Sequence, residues 1–390
     1  MVRRRGSMTR RLAIVVASAS TVIVPLATST GVGAMPSYDT SNPWGDAVAV
    51  AGRRAVLGVP SYNGSQGIIY QYRLGTAWKK MAQLTVSGIG PGDSFGASIA
   101  YTGNNVVIGS PGRNTEEGAV YYVYHSDGIW GQIGGLTDPS PVIGGHFGAA
   151  VGLSGERVVV GAPGTTTSGK TYIGRAIGGV WTITNTLLPP SSASDDRFGT
   201  SVAVLGNHVL VGAPGTSSGA GAAYLFTFTG GTWNRTRTLT EASPVAGDGF
   251  GTSVAFTDTG FAIGVPGRSV TGHSGAGVVE AYDSFSATTP TTLTASSPVT
   301  NSGLGKSLAT YKAVMIAGAP GTSTVDGLAL LFSHHAGTWS LSNSLTDPTT
   351  PRLGWSVGIS GQVIAGPHNS HQTRLLPIAS PLQFDGTVGR

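Results

Sequence analysis

Gly164, four residues, then Gly169, Lys170 and Thr171 reproduce the spacing of a phosphate-binding loop within GAPGTTTSGKT. Such a loop works because its backbone N–H groups and the N-terminus of a following helix cradle phosphate oxygens, while the lysine balances their charge. Ser217 in GTSSG has the Gly-x-Ser-x-Gly spacing of a nucleophile elbow, which needs a tight strand-to-helix turn to expose the serine. His368 and His371 in HNSH offer two imidazole nitrogens to a metal, although no third ligand is identifiable. Asp93, Asp196 and Asp248 each stand two residues before a recurrent phenylalanine. There an aspartate is expected to bond turn N–H groups rather than to do chemistry. What chemistry is open to these residues depends on the elements that carry them.

Those elements repeat. An aromatic or large apolar residue followed by glycine recurs at Trp44, Phe95, Phe147, Phe198, Phe250, Leu304 and Leu353, with the glycines 51, 52, 51, 52, 54 and 49 residues apart. A second mark, Gly-x-Pro or Gly-Pro, ends at Pro60, Pro111, Pro163, Pro214, Pro266, Pro320 and Pro367. It follows the signature glycine by 15 residues in six copies and by 13 in the last. About fifty residues hold four strands of about 5–6 residues with their connections, which is one propeller blade. Repetition of one unit fixes architecture more firmly than local propensity does. The fold expected is therefore all-β: a seven-bladed β-propeller of four-stranded antiparallel blades. Trp78, Trp130, Trp181, Trp233 and Trp339 open the fourth strands, each followed six residues later by a leucine, and Phe285 takes the corresponding place in the fifth copy. An even separation predicts that each Trp and its Leu share one face of the strand.

The repeat decides the short motifs. Gly169-Lys170-Thr171 aligns with Gly118-Ala119-Val120, Gly221-Ala222-Ala223 and Gly327-Leu328-Ala329, so Lys170 belongs to one copy only. The following TYIGRAIGGVWTITN lacks a helical period, so a strand is expected after Lys170 and no nucleotide is expected as ligand. Ser217 falls in the equivalent loop, where no elbow is expected.

FGTSVAVLGNHVLVGAPG and FGAAVGLSGERVVVGAPG resemble FG-GAP repeats, the blade unit of the integrin α-subunit N-terminal seven-bladed propeller and of related bacterial secreted proteins. The resemblance runs from Trp44 to the C-terminus. It implies calcium sites in Asp-x-Asp-x-Asp-Gly turns between the first two strands of a blade. The turns here, such as AGRRA, TGNNV and SGERV, carry at most one acid each, whereas calcium takes six to eight oxygens, so no metal or other cofactor is expected.

Residues 1–34 contain Arg3, Arg4, Arg5, Arg10 and Arg11, an apolar run from Leu12 and a small-residue end at Val32-Gly33-Ala34, which read as an export signal. One propeller domain is expected over 35–390. The signal holds five of the 23 basic residues and none of the 18 acidic ones, so the remainder carries 18 of each and offers no electrostatic case for nucleic acid. The absence of cysteine excludes disulfides and a cysteine nucleophile. Stability must then come from packing.

The function expected is a secreted, non-catalytic binding or adhesion module, monomeric and without an integral membrane anchor, whose partner is an extracellular protein or glycan. A carbohydrate-binding propeller is the alternative, and a propeller hydrolase a weaker one, because no carboxylate pair or Ser-His-Asp set converges in the sequence. Function in such a ring resides in its loops. The resemblance implies that the loops between second and third strands, and those between blades, form one partner-facing end. Its residues here are Tyr62, Arg113, Glu116, His146, Arg197, Arg268, His273 and Lys306.

Overall fold

The computed structural model describes residues 46–376 apart from 77, 127–128, 165–167, 178–179, 191–194, 323–324, 347–351, 361–362 and 367–373. Residues 1–34, expected to be an export signal, and His368 and His371 lie outside the described residues. The sequence leaves two segments open for the outer strand of the last blade, 35–43 and 380–386, and both lie outside the described residues.

Each repeat folds as an antiparallel sheet whose strands follow chain order from the axis outward. The first holds β1 (Ala47–Ala51), β2 (Arg54–Val59), β3 (Ile68–Leu74) and β4 (Trp78–Leu84). The second holds β5 (Ser98–Thr102), β6 (Asn105–Ser110), β7 (Ala119–Ser126) and β8 (Ile129–Thr137). Next come β9 (Ala150–Ser154), β10 (Arg157–Ala162), β11 (Lys170–Ile177) and β12 (Val180–Leu187), then β13 (Ser201–Leu205), β14 (His208–Ala213), β15 (Ala222–Thr229) and β16 (Thr232–Leu239). The fifth sheet, β17 (Ser253–Phe256), β18 (Phe261–Val265), β19 (Val278–Tyr282) and β20 (Thr291–Leu293), has the shortest fourth strand among these blades. The sixth is β21 (Ser307–Tyr311), β22 (Val314–Ala319), β23 (Leu328–His335) and β24 (Thr338–Thr346). The seventh repeat supplies β25 (Ser356–Ile359), β26 (Val363–Gly366) and β27 (Arg374–Leu376).

The expected seven four-stranded blades are thus corrected to six, beside a three-stranded sheet among the described residues. The last repeat departs from the pattern in its sequence: it is two residues shorter between its Gly354 and Pro367, and it lacks the Trp and Leu pair that builds a long outer strand. Its β25 nevertheless packs against both β21 and β1. The Gly52 N–H donates to Ser360 Oγ at 3.0 Å, joining first and last repeats. The innermost strands β1, β5, β9, β13, β17, β21 and β25 touch one another in that order.

The core is a set of layers between neighbouring sheets rather than one central cluster. Phe95, Phe147, Phe198, Phe250, Leu304 and Leu353 of the signature are wholly or almost wholly buried in these layers. The signature glycines have steric reasons. Gly199 has φ +95°, and a Cβ added to Gly161 of the preceding blade would lie 2.0 Å from the Gly199 carbonyl oxygen. The two backbones approach too closely for any side chain, and five other blade boundaries repeat the pair. The serine of the signature completes the joint: Ser98, Ser201, Ser253 and Ser307 each donate a hydroxyl to the signature glycine carbonyl of the next repeat, at 2.6 to 2.9 Å.

One expectation about the outer strands is overturned. Trp181 packs toward the second blade while Leu187 packs toward the fourth, and the other four Trp and Leu pairs divide in the same way. A β-bulge in each of these five outer strands skips one residue in the pairing, at Met81, Ile133, Thr184, Thr236 and Ser342. One extra residue shifts the alternation, so six positions end on the opposite face. In three blades the skipped residue carries a hydroxyl that donates to a third-strand carbonyl: Thr184 to Ile173, Thr236 to Leu225 and Ser342 to Leu331. Among the described residues no helix is long and apolar enough to cross a membrane.

Candidate partner-binding face

Loops joining second to third strands meet the connections between blades at one end of the ring. The contact is backbone to backbone. The His146 N–H donates to Glu116 O at 2.8 Å, Phe147 to Glu117 O at 3.0 Å, Ser94 to Ser65 O at 2.7 Å, and Phe250 to Ala220 O at 2.9 Å. The third strand therefore starts beside the next blade's signature, as the parallel bridges Gly67 to Phe95 and Gly118 to Phe147 show. A face stitched in this way is rigid, which favours display of side chains from it.

That rigidity holds backbone conformations that side chains resist. The residue before each described signature apolar residue is left-handed: Ser94 (φ +55°), His146 (+54°), Arg197 (+55°), Gly249 (+69°), Gly303 (+69°) and Arg352 (+58°). Glycine fills the position in two repeats, and histidine or arginine in three. The strand-two loops add single left-handed turns at Asn63–Gly64, Asn114–Thr115 and Ser217–Ser218. Left-handed geometry costs an L-residue about 1–2 kcal/mol and tends to persist where function requires it.

Six of the eight expected face residues have defined partners. Arg113 donates to Gly88 O and lies 3.3 Å from Asp93 Oδ2. Glu116 and His146 are brought together, with 3.9 Å between Oε2 and Nε2. Arg268 is held by two acids, described below. The His273 ring nitrogen Nδ1 lies 3.5 Å from the Thr300 hydroxyl, and Lys306 Nζ lies 5.1 Å from the Trp355 ring centroid. Tyr62 leans on the first blade's core, and Arg197 is exposed. These residues spread over several blades rather than converging on one cleft.

The short motifs resolve into loop structure. Lys170 opens strand β11, so no helix N-terminus follows the glycines; residues 165–167 of that loop lie outside the described residues. Ser217 sits in a left-handed turn at φ +54°, not on a strand-to-helix elbow. Asp93 Oδ2 accepts the Gly90 N–H and Asp248 Oδ2 the Val245 N–H, both at 2.9 Å, which is the turn bonding expected of them.

Comparison with known proteins follows from this architecture. The model of the FG-GAP repeat family matches residues 78–124 and 181–226. The chain carries FG-GAP repeats at these stretches. Each matched stretch begins at an outer-strand tryptophan and ends in the third strand of the next blade, so the family's unit spans the stitched boundary between two sheets. No curated protein matches the chain. Among solved structures, Kuenenia stuttgartiensis hydrazine synthase superposes with a TM-score of 0.60 at 12% identity, covering 88% of this chain and 97% of that one. At that identity the likeness shows the fold alone.

Within this FG-GAP propeller, sequence reading missed Glu241 and Glu280. Arg268 Nη1 lies 3.1 Å from Glu241 Oε1 and 2.7 Å from Glu280 Oε1, and the two carboxylate side chains are only 2% and 5% exposed. Burial, and then the Asp248 carboxyl beside it, push the Glu241 carboxyl up to about 8, against the pull of Arg268. Neither Glu241 oxygen makes a hydrogen bond of good geometry. Burial also raises the Glu280 carboxyl. The available signal was Glu241 two residues after the outer-strand leucine, where the second blade has Asp138. Closed off from solvent, the two glutamates hold the Arg268 loop. Two open grooves, of about 550 and 630 Å³, are lined by Leu225, Arg237 and Phe285 and by Arg53, Trp78 and Lys79 respectively. Neither is lined by a carboxylate or by an expected face residue.

Proposed function

We propose that this FG-GAP protein is a secreted, non-catalytic binding module that meets an extracellular protein through the stitched end of its ring. One observation carries the reading: His146, Arg197 and Arg352 occupy left-handed positions that Gly249 and Gly303 fill in sibling repeats. Folding alone would be served by glycine there, so large cationic or titratable side chains held against strain support a role in contact. The signal-like N-terminal segment supports export, and the spread of side chains over several blades favours a broad surface over a catalytic pocket.

The test replaces strain-bearing residues with the one that fits the backbone. His146→Gly and Arg197→Gly proteins, immobilised beside the wild type, are exposed to cell-surface and matrix fractions. Capture should be lost while unfolding midpoints remain close to wild type. Unchanged capture by the double variant would overturn the assignment of this face.

A further inference from the structure

The residue after each signature glycine stands just before an innermost strand: Asp46, Ala97, Ala149, Thr200, Thr252, Lys306 and Trp355. Because those strands touch in ring order, the seven positions rim the axial opening at the stitched end. The rim is lopsided. Ala97 and Ala149 present only methyl groups, and the Thr200 and Thr252 hydroxyls already donate to the carbonyls of Arg197 and Gly249, at 2.8 and 2.7 Å.

On the other side, Lys306 Nζ lies 5.1 Å and the Arg352 guanidinium carbon 5.9 Å from the Trp355 ring centroid. All three side chains are half-buried. Among the described residues neither cation is within ion-pairing distance of a carboxylate, and Asp46, next to Trp355 in ring order, has a partner of its own. Burial lowers the Lys306 ammonium from its ordinary range, so this charge is held without a counter-charge. Arg352 also keeps the left-handed backbone at φ +58°.

Two cations converging on one indole are completed by an anion. We propose that the axial mouth of the ring binds a carboxylate side chain of a protein partner, which reaches Lys306 and Arg352 beside Trp355. The inference rests on the reading of this end as the partner-binding face. A slim acidic side chain fits better than a sugar, since a saccharide needs several hydroxyl partners and the rim threonines have already committed their protons.

The experiment titrates the full chain with acetyl-Gly-Glu-Gly-amide, acetyl-Gly-Gln-Gly-amide and glucuronate, followed by tryptophan fluorescence, with Trp355→Phe to assign the signal. The Glu peptide should give a saturable change that the Gln peptide does not. Affinity should fall roughly tenfold or more in Lys306→Met and in Arg352→Gly. The latter keeps the left-handed backbone, so it remains informative if Lys306→Met folds poorly. Lys312→Met, in the β21–β22 turn, should bind as wild type. Equal response to the Gln peptide, or unchanged affinity in both variants, overturns the proposal. Tighter binding of glucuronate than of the Glu peptide overturns the peptide occupant in favour of an acidic saccharide. A flat titration alongside capture lost in the His146 and Arg197 variants defeats the axial site alone; a positive titration with capture unchanged defeats the wider face.

Discussion

The boundary between the second and third blades and that between the fourth and fifth use the same place in the repeat differently. At the first, Asp138 follows the outer strand and accepts the buried Tyr172 hydroxyl at 2.7 Å. Its other oxygen takes the Ser140 N–H at 2.8 Å. One acid thus meets two donors. At the second boundary Glu241 stands at the equivalent point, but the next blade presents Glu280 and Tyr282, and Asp248 lies alongside. Two buried acids, Glu241 and Glu280, then share one cation, Arg268. A hydrogen bond between neutral and charged groups is locally complete, whereas a clustered charge makes the loop's stability depend on one side chain and on pH.

Removing the cation gives the largest expected effect. Arg268→Met should destabilise the protein by about 3 kcal/mol in denaturant unfolding, because it strands buried carboxylates. The Glu241→Gln, Arg268→Met double variant should recover part of that loss; a double variant no more stable than the single one would deny that charge imbalance is the cause.

Second is the pH dependence. Glu241 keeps its proton in the folded state to about pH 8, whereas the unfolded chain loses it in the ordinary carboxylate range. The folded state therefore binds more protons between those limits, and unfolding free energy should fall as pH rises through that window. Glu280 is shifted in the same direction. Unfolding curves at pH 6 and pH 9 should separate more for wild type than for Glu241→Gln, in which Glu280 still contributes; equal separation in both would remove Glu241 as the source.

Tyr172→Phe tests the simpler boundary. Loss of a hydrogen bond to a carboxylate should cost about 1.5 kcal/mol. Tyr282→Phe should cost less, because its hydroxyl lies 3.3 Å from Glu280 and a carboxylate at 2.7 Å already engages Arg268. Smallest is Arg197→Gly, at the third boundary, which should change stability by less than about 1 kcal/mol: relief of left-handed strain opposes the added freedom of the unfolded chain. The same denaturant unfolding series ranks all these variants, and an order in which Arg197→Gly exceeds Tyr172→Phe would reverse the account of which contacts hold the boundaries.

Much of the fold was legible because its causes are local and repeated. The signature glycines announce close backbone approach whatever surrounds them, and seven spaced copies announce sheets arranged around an axis. The last repeat also showed its irregularity through its shorter spacing. Less was legible at the candidate site. Arg268 stood out as a loop cation, but its acids come from the preceding connection and from the interior of β19, and nothing local marks them as neighbours. The axial group was hidden for the same reason: Lys306 and Trp355 sit in different repeats, some fifty residues apart, and only ring geometry sets them side by side.

By itself, the sequence determined the repeat, the antiparallel sheets, the buried signature phenylalanines and the turn role of Asp93 and Asp248, since these follow from spacing, steric need and short-range hydrogen bonding. Tertiary structure alone decided which face each outer-strand leucine meets, because one bulged residue reverses an alternation that the spacing leaves intact. It also decided that the last repeat forms three strands among the described residues, that Glu241, Glu280 and Arg268 share one buried site, and that Lys306 and Arg352 gather at Trp355. Each of these depends on what a neighbouring repeat brings into contact, and that is information no single repeat contains.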